Sequence, residues 1–284
     1  MLIRTISGAV FALLSIMFIL LRHFVSDYFF YLYIAIFCVI GTMEVSRAVG
    51  YNKKDFSFWF TMVFGILLVP IFVIFQKTLN LGATVCFLLV NVLALVLFIL
   101  SKRSPIKTGE EVNACSARIT ALYYPAVFII FMCMLNAFYG EFALIAIVLL
   151  FVISPLTDTM AYFVGFIYNK IRKGKAKKLA PVLSPKKTIA GAIGGLIGGA
   201  IGSILVLIVF NPSLRLNHPW LFFIIVGVLG SLFTQIGDLF ESFIKRNVGI
   251  KDMGNVIPGH GGVMDRIDGM SFCAVVIYFA FMLI

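Results

Sequence analysis

The sequence predicts an all-α, polytopic integral membrane protein of about nine transmembrane helices, with a cytoplasm-facing polar site in its C-terminal half. Three observations predict it. Of the 284 residues 62% are hydrophobic and 12% charged, and the mean hydropathy is +1.08; soluble domains carry about 25% charged residues. Apolar runs close to the ~20 residues that cross a bilayer recur along the whole chain. Basic residues, finally, gather in alternate connections between those runs.

In order, the runs cover 3–21, 28–46, 56–75, 79–100, 118–138, 142–167, 189–210, 219–244 and 267–284. The first follows Arg4 and lacks a small-x-small cleavage pattern, so it is expected to stay as a span rather than leave as a signal. The next three are rich in Phe, Leu, Ile and Val and read as scaffold. Glu44, at the end of the second, reads as solvated or paired with Arg47 three residues on. The stretch "SKRSPIKTGEEVNACSAR" (101–118) reads as a mixed-charge linker. Within one integral membrane domain, residues 1–115 are thus expected to be scaffold and 116–284 to carry the chemistry. Cys38, Cys86, Cys115, Cys133 and Cys273 lack metal-type spacing and read as free, apolar thiols.

With nine spans, twenty basic residues fall on the side of the N-terminus. They include Lys53, Lys54, Arg103, Lys107, Arg118 and the eight from Lys170 to Lys187. Only Arg22, Lys77 and Arg215 fall on the other side. The positive-inside rule then places the N-terminus in the cytoplasm and the C-terminus outside an inner (plasma) membrane. The net charge of +11 lies on the face that meets nucleotides and anionic headgroups.

Polar residues that topology does not explain crowd the second half. In "ISPLTDTMAYFVG" (153–165) Asp158 sits in an apolar segment, with Tyr162 one turn on. An ionisable group there marks a functional site, the alternative being an ion pair that serves folding. In "SPKKT" (184–188) Pro185 is expected to shape a turn, and Ser184, Lys186, Lys187 and Thr188 stand where a helix begins. Ammonium groups at a helix N-terminus make an anion site. Gly191, Gly194, Gly195, Gly198 and Gly199 follow with small-xxx-small spacing, which predicts close helix packing in lipid.

In "TQIGDLFESFIKR" (234–246), Thr234, Asp238, Glu241 with Ser242, and Lys245 recur every three or four residues. That spacing makes one polar stripe on an apolar helix, which must face protein or a water-filled cavity. Arg246 ends the helix. A loop follows with Lys251, Asp252 and Gly254, then "PGHGG" (258–262) and "DRID" (265–268). Glycines let backbone N–H groups approach phosphate. Carboxylates beside a basic, glycine-rich loop suit a hydrated Mg²⁺ that bridges phosphate oxygens. Asp238 on one side and Asp265 with Asp268 on the other suit a two-cation phosphoryl or nucleotidyl transfer. His260 reads as a loop residue or phosphate contact, with an acid–base role open.

Residues 242–268, S-F-I-K-R-x(4)-K-D-x-G-x(3)-P-G-H-G-G-V-M-D-R-I-D, closely resemble the signature of the phosphatidate cytidylyltransferases, the CDP-diacylglycerol synthases. "DTMAYF" (158–163) and "KLAPVLSPKKT" (178–188) match further elements of that family, so the resemblance covers about 154–284. It implies the reaction of CTP with phosphatidic acid to give CDP-diacylglycerol and pyrophosphate. Asp238 and Asp265, with Asp268, are implied as ligands of Mg²⁺ and of a second, monovalent cation such as K⁺. Lys187 and Lys245 join Asp238 and Asp265 as catalytic residues, offsetting charge on the leaving pyrophosphate. Substrate contacts are implied for Asp158, Tyr162, Ser184, Lys186, Thr188, Ser242, Arg246, Lys251, His260, Gly261, Gly262 and Arg266. The expected partners are CTP, phosphatidic acid, membrane lipids and, as an open alternative, a second copy of the chain; no nucleic acid is expected. The chain departs from the family pattern at Ala190, Met160 and Phe166, where Glu, Gly and Arg are usual. A transporter would carry an inverted repeat, and the halves show no such symmetry. A CTP-dependent polyprenol kinase is the closer rival, and it would release CDP. A sibling enzyme acting on an ether-linked lipid shares the same headgroup chemistry.

Overall fold

A computed structural model of the chain describes residues 2–50, 56–102, 110–212, 217–259 and 261–284; the side chains of 2–5, 56–57, 98–102 and 110–118 are not described. Lys53, Lys54, Arg103, Lys107, Arg215 and His260 therefore lie outside the described residues, as do the side chains of Arg4, Lys102, Cys115 and Arg118. The described residues form nine helices, α1 (Leu2–Phe24), α2 (Tyr28–Ala48), α3 (Phe56–Leu79), α4 (Gly82–Lys102), α5 (Glu110–Asn136), α6 (Glu141–Ile171), α7 (Ile189–Phe210), α8 (Pro219–Asn247) and α9 (Met264–Phe281). Two short strands, β1 (Lys178–Ala180) and β2 (Ser184–Thr188), lie between α6 and α7. Each predicted run coincides with a helix. Among the described residues seven of the helices are long and apolar enough to cross a bilayer. Helix α4 offers a shorter described apolar segment, Gly82–Leu97, and α9 opens with Asp265, Arg266 and Asp268. The chain is a multi-pass membrane protein.

The chain divides into two compact units, residues 1–137 with 248–266, and residues 138–247 with 267–284. In the first, α2 packs against α1, α3 and α5, and α4 closes the group against α3 and α5. Phe30, Ile34 and Cys38 of α2 meet an interior that also holds Phe72, Val90 and Ile129, each at most 1% exposed. Cys38, Cys86, Cys133 and, in the second unit, Cys273 are buried free thiols, as predicted.

The second unit is built on α7. Its glycines turn inward, whereas Ile193, Ile197, Ile201, Leu205 and Ile208 turn outward at helical spacing. A helix apolar all round is stable only in a core or in lipid. The glycines pack, as their spacing predicts: a Cβ at Gly194 would stand 2.6 Å from the Val164 side chain, and one at Gly198 2.7 Å from Met160. On the opposite side a Cβ at Gly199 would meet the Gly227 carbonyl and Ser231 of α8 at 2.5 Å. Helices α6, α7 and α8 thus touch backbone to backbone, and Cys273, Ala274 and Ile277 of α9 are fully buried.

The hairpin corrects a prediction. Pro185 lies inside β2, not in a turn, and the turn falls at 181–183. The strands pair antiparallel, Lys178 opposite Thr188 and Ala180 opposite Ser184. Proline pushes the residue before it toward extended backbone, and a two-stranded sheet has only edge strands, where a missing N–H is tolerated. The all-α class stands with this one small β element.

Candidate active site

Polar candidates in the second unit converge because helix α7 begins where β2 ends. Thr188 is the N-cap: its Oγ1 accepts from the Gly191 N–H at 3.0 Å, and its backbone is extended. Its hydroxyl therefore serves the helix first. The extended strand before this cap carries Lys186 and Lys187 to a cavity of about 480 Å³. That cavity is lined on the α6 side by Asp158, Tyr162, Phe166 and Asn169, and on the α8 side by Gln235 and Asp238. Asp158 and Tyr162 share it, as their spacing predicts. Tyr162 stacks on Phe166, ring centroids 6.1 Å apart, so this wall carries an aromatic pair between Asp158 and Asn169. The Lys187 ammonium donates to Asp238 Oδ2 in an ion pair, both side chains partly exposed. Ser184 lies on β2. Arg246 reaches the hairpin turn, its Nε 3.5 Å from the Leu183 carbonyl oxygen.

Behind the cavity the stripe on α8 faces inward. Thr234 and Glu241 are fully buried and Ser242 is 7% exposed. Lys245 Nζ donates to Glu241 Oε2 at 3.0 Å. The Asp268 carboxyl lies close to Glu241 and near enough to Asp238 and Lys245 to feel both charges; its Oδ1 accepts from the Gly269 N–H at 2.7 Å. Gly237 allows this, since a Cβ there would stand 2.6 Å from the Asp268 carbonyl oxygen. Glu241 is a site residue that the sequence showed only as one member of the stripe.

The donor set suits Mg²⁺. Among the described residues no three His, Cys, Asp or Glu side chains form a metal-binding group. Mg²⁺ does not need one, because one or two carboxylates, phosphate oxygens and water complete its shell. Asp238 and Asp268 on neighbouring helices provide such a pair.

In the first unit the loop 248–263 folds around two carboxylates. Asp265 Oδ2 accepts from the N–H groups of Met253 (2.9 Å) and Gly262 (2.7 Å) and closes the loop on the start of α9. Ile257 N–H donates to the Gly261 carbonyl at 2.9 Å, and Gly259 and Gly261 take the left-handed φ (76° and 86°) that this turn requires. Lys251, Asp252, Asn255 and Arg266 line a cavity of about 490 Å³ with the backbone of Gly259 and Gly261. The second carboxylate is Glu44, and here the prediction fails. Glu44 is 2% exposed, and its oxygens accept from the N–H groups of Val263 (3.0 Å) and Met264 (2.9 Å). These donors have no partner inside the helix they begin, which is why a carboxylate is buried there instead of meeting water, with the charge of Arg47 still acting on it.

Comparison with known proteins agrees with this chemistry. A model of the cytidylyltransferase family matches residues 2–284. The chain is similar to a phosphatidate cytidylyltransferase of Bacillus subtilis (strain 168), 36% identical over 123 residues, which is 43% of this chain and 42% of that one. A protein of the same name from Staphylococcus epidermidis is 43% identical over 123 residues, 43% of each chain. One from Brucella abortus is 38% identical over 137 residues, 48% of this chain and 47% of its own. The match spans less than half the length of these curated relatives. The family model covers nearly all of the sequence, so the chain belongs to the cytidylyltransferase family.

Proposed function

We propose that this chain is a phosphatidate cytidylyltransferase, joining CTP and phosphatidic acid into CDP-diacylglycerol with release of pyrophosphate. The observation that carries the proposal is the Lys187–Asp238 pair at a cavity whose lining combines lysines and carboxylates with Tyr162 and Phe166. A lining of that kind suits a phosphate attached to an apolar body. The family and the names of the relatives support the same reading.

A phosphate oxygen of phosphatidate attacks the α-phosphorus of CTP, the bond from that phosphorus to the α,β-bridging oxygen breaks, and pyrophosphate leaves with its electron pair. The protein's task is positioning and charge. Lys187 and Lys186 neutralise phosphate oxygens, with Lys187 passing from Asp238 to the incoming anion. Lys251 and Arg266 supply further cationic contacts, and Ser242, Ser184, Arg246, Gly261 and Gly262 are kept as substrate contacts. We assign the cations, as the sequence does, to Asp238, Asp265 and Asp268. Mg²⁺ bound there supplies Lewis-acid neutralisation of phosphate charge. The site faces the cytoplasm of a plasma-membrane protein whose N-terminus is cytoplasmic, and crosslinking in membranes tests for a second copy.

Purified protein in phosphatidate micelles with Mg²⁺ and CTP labelled at the α-phosphate tests the proposal. Label entering lipid together with pyrophosphate is the expected result. Release of CDP with the label left in water would refute it in favour of the polyprenol kinase reading.

A further inference from the structure

Glu44 does more than fill a core position. Its carboxylate takes the N–H groups of Val263 and Met264 at 3.0 and 2.9 Å. The same carboxylate explains two glycines of the loop. A Cβ at Gly254 would run into the Glu44 carboxyl group, and one at Gly262 would stand 2.5–2.6 Å from three of its atoms. Neither glycine has a left-handed φ. The carboxylate, rather than the backbone conformation, is what excludes a side chain at both positions.

We propose that Glu44 is the positioning residue of the 248–266 loop. By holding the entry to α9 from α2 it fixes Asp265, which in turn binds Met253 and Gly262. It thereby holds open the cavity walled by Lys251, Asn255 and Arg266. One ammonium, one guanidinium and exposed backbone, with the Asp252 carboxylate beside them, line that cavity, an arrangement that takes a polyphosphate together with its cation. The inference rests on the proposed function in naming that polyphosphate as the triphosphate of CTP. Glu44 touches no reacting atom and acts through the loop alone.

Three variants test this, Glu44→Gln, Gly262→Ala and Glu44→Ala/Gly262→Ala, each purified in detergent. Two readouts are taken: the rate of tryptic cleavage after the exposed Lys251, followed by fragment mass, and the KM values for CTP and phosphatidate beside kcat. In Glu44→Gln one acceptor becomes an N–H₂ group facing a backbone N–H. Cleavage after Lys251 should accelerate about tenfold or more, and the KM for CTP should rise by a similar factor while that for phosphatidate holds. Gly262→Ala should reproduce both effects from the loop side, and it carries the test if Glu44→Gln does not fold. The double variant should be no worse than Gly262→Ala alone, because removing the carboxylate makes room for the new methyl. Wild-type cleavage together with a wild-type KM for CTP, in Glu44→Gln or in Gly262→Ala, would overturn the proposal. Equal rises in both KM values would also overturn it, as a general loss of structure. Cleavage is read without turnover, so a clamp that opens in a chain lacking cytidylyltransferase activity would sink the proposed function and leave the clamp standing.

Discussion

Replacing Gly237 by alanine separates the distance between α8 and α9 from the chemistry that those helices carry. A Cβ at this position would stand 2.6 Å from the Asp268 carbonyl oxygen and 2.8 Å from the Phe272 ring. Ordinary contact begins at 3.4 Å, and neither neighbour is the free end of a flexible chain. The helices must therefore part by the shortfall from 2.6 to 3.4 Å, about 0.8 Å. Overpacking of this kind costs about 1–3 kcal/mol, which lowers the melting temperature by about 2–4 °C per kcal/mol. Activity should fall further, since Asp238 and Asp268 lie at this level and misplacement near 1 Å costs about 10²-fold. Melting in detergent and the initial rate of label transfer across a Mg²⁺ titration measure the two effects. Gly230→Ala is the control: it lies on the same helix, and its Cβ would meet Cys273 Sγ at a milder 3.1 Å. It should lose some stability and little rate. A Gly237→Ala protein with wild-type rate and Mg²⁺ dependence would refute the reasoning.

Three further substitutions follow from the same geometry. Lys187→Met removes the partner of Asp238 and a phosphate-neutralising charge, and kcat should fall about 10²–10³-fold, with Lys187→Arg retaining part of the rate in the label-transfer assay. Lys245→Met strands the fully buried Glu241 carboxylate; thermal melting should register about 3–5 kcal/mol of lost stability, most of it recovered in Lys245→Met/Glu241→Leu. Thr188→Ala removes the cap on α7 at a cost of about 1 kcal/mol, whereas Thr188→Ser should melt as the wild type does.

Helices were the most legible part of the chain, because lipid sets a minimum length for each apolar run and loops interrupt it with charge. Thr188 was legible at the boundary of α7 for a local reason, a hydroxyl directly before the apolar run. The hairpin was not. Its strands have three and five residues, too short and too polar to show a period of two. Glu44 escaped for a different reason: its partners are backbone N–H groups 219 and 220 residues away, and a backbone donor leaves no mark in the sequence. One signal was present. An acid at the end of an apolar run had flagged Asp158, and the same rule applied to Glu44 points to a buried role.

Large apolar residues do not mark the interior of the second unit, because lipid accepts them as readily as protein does. Small residues mark it. Along α8 the buried face runs Gly227, Gly230, Ser231, Thr234, Gly237, then Glu241 and Ser242, a track that begins with close helix contact and ends in charge. Gly227 and Gly237 each bring a neighbouring backbone to within reach, and Gly230 brings the side chains of Cys273 and Ile153. Carboxylates in a membrane are costly unless they are paired or face water; here Lys187 pairs Asp238 and Lys245 pairs Glu241, and the cavity gives Asp238 its access to solvent. The glycine track and the polar stripe are therefore one device. A bulkier residue anywhere on the track should act on the charged cluster through distance, before it touches any reacting group.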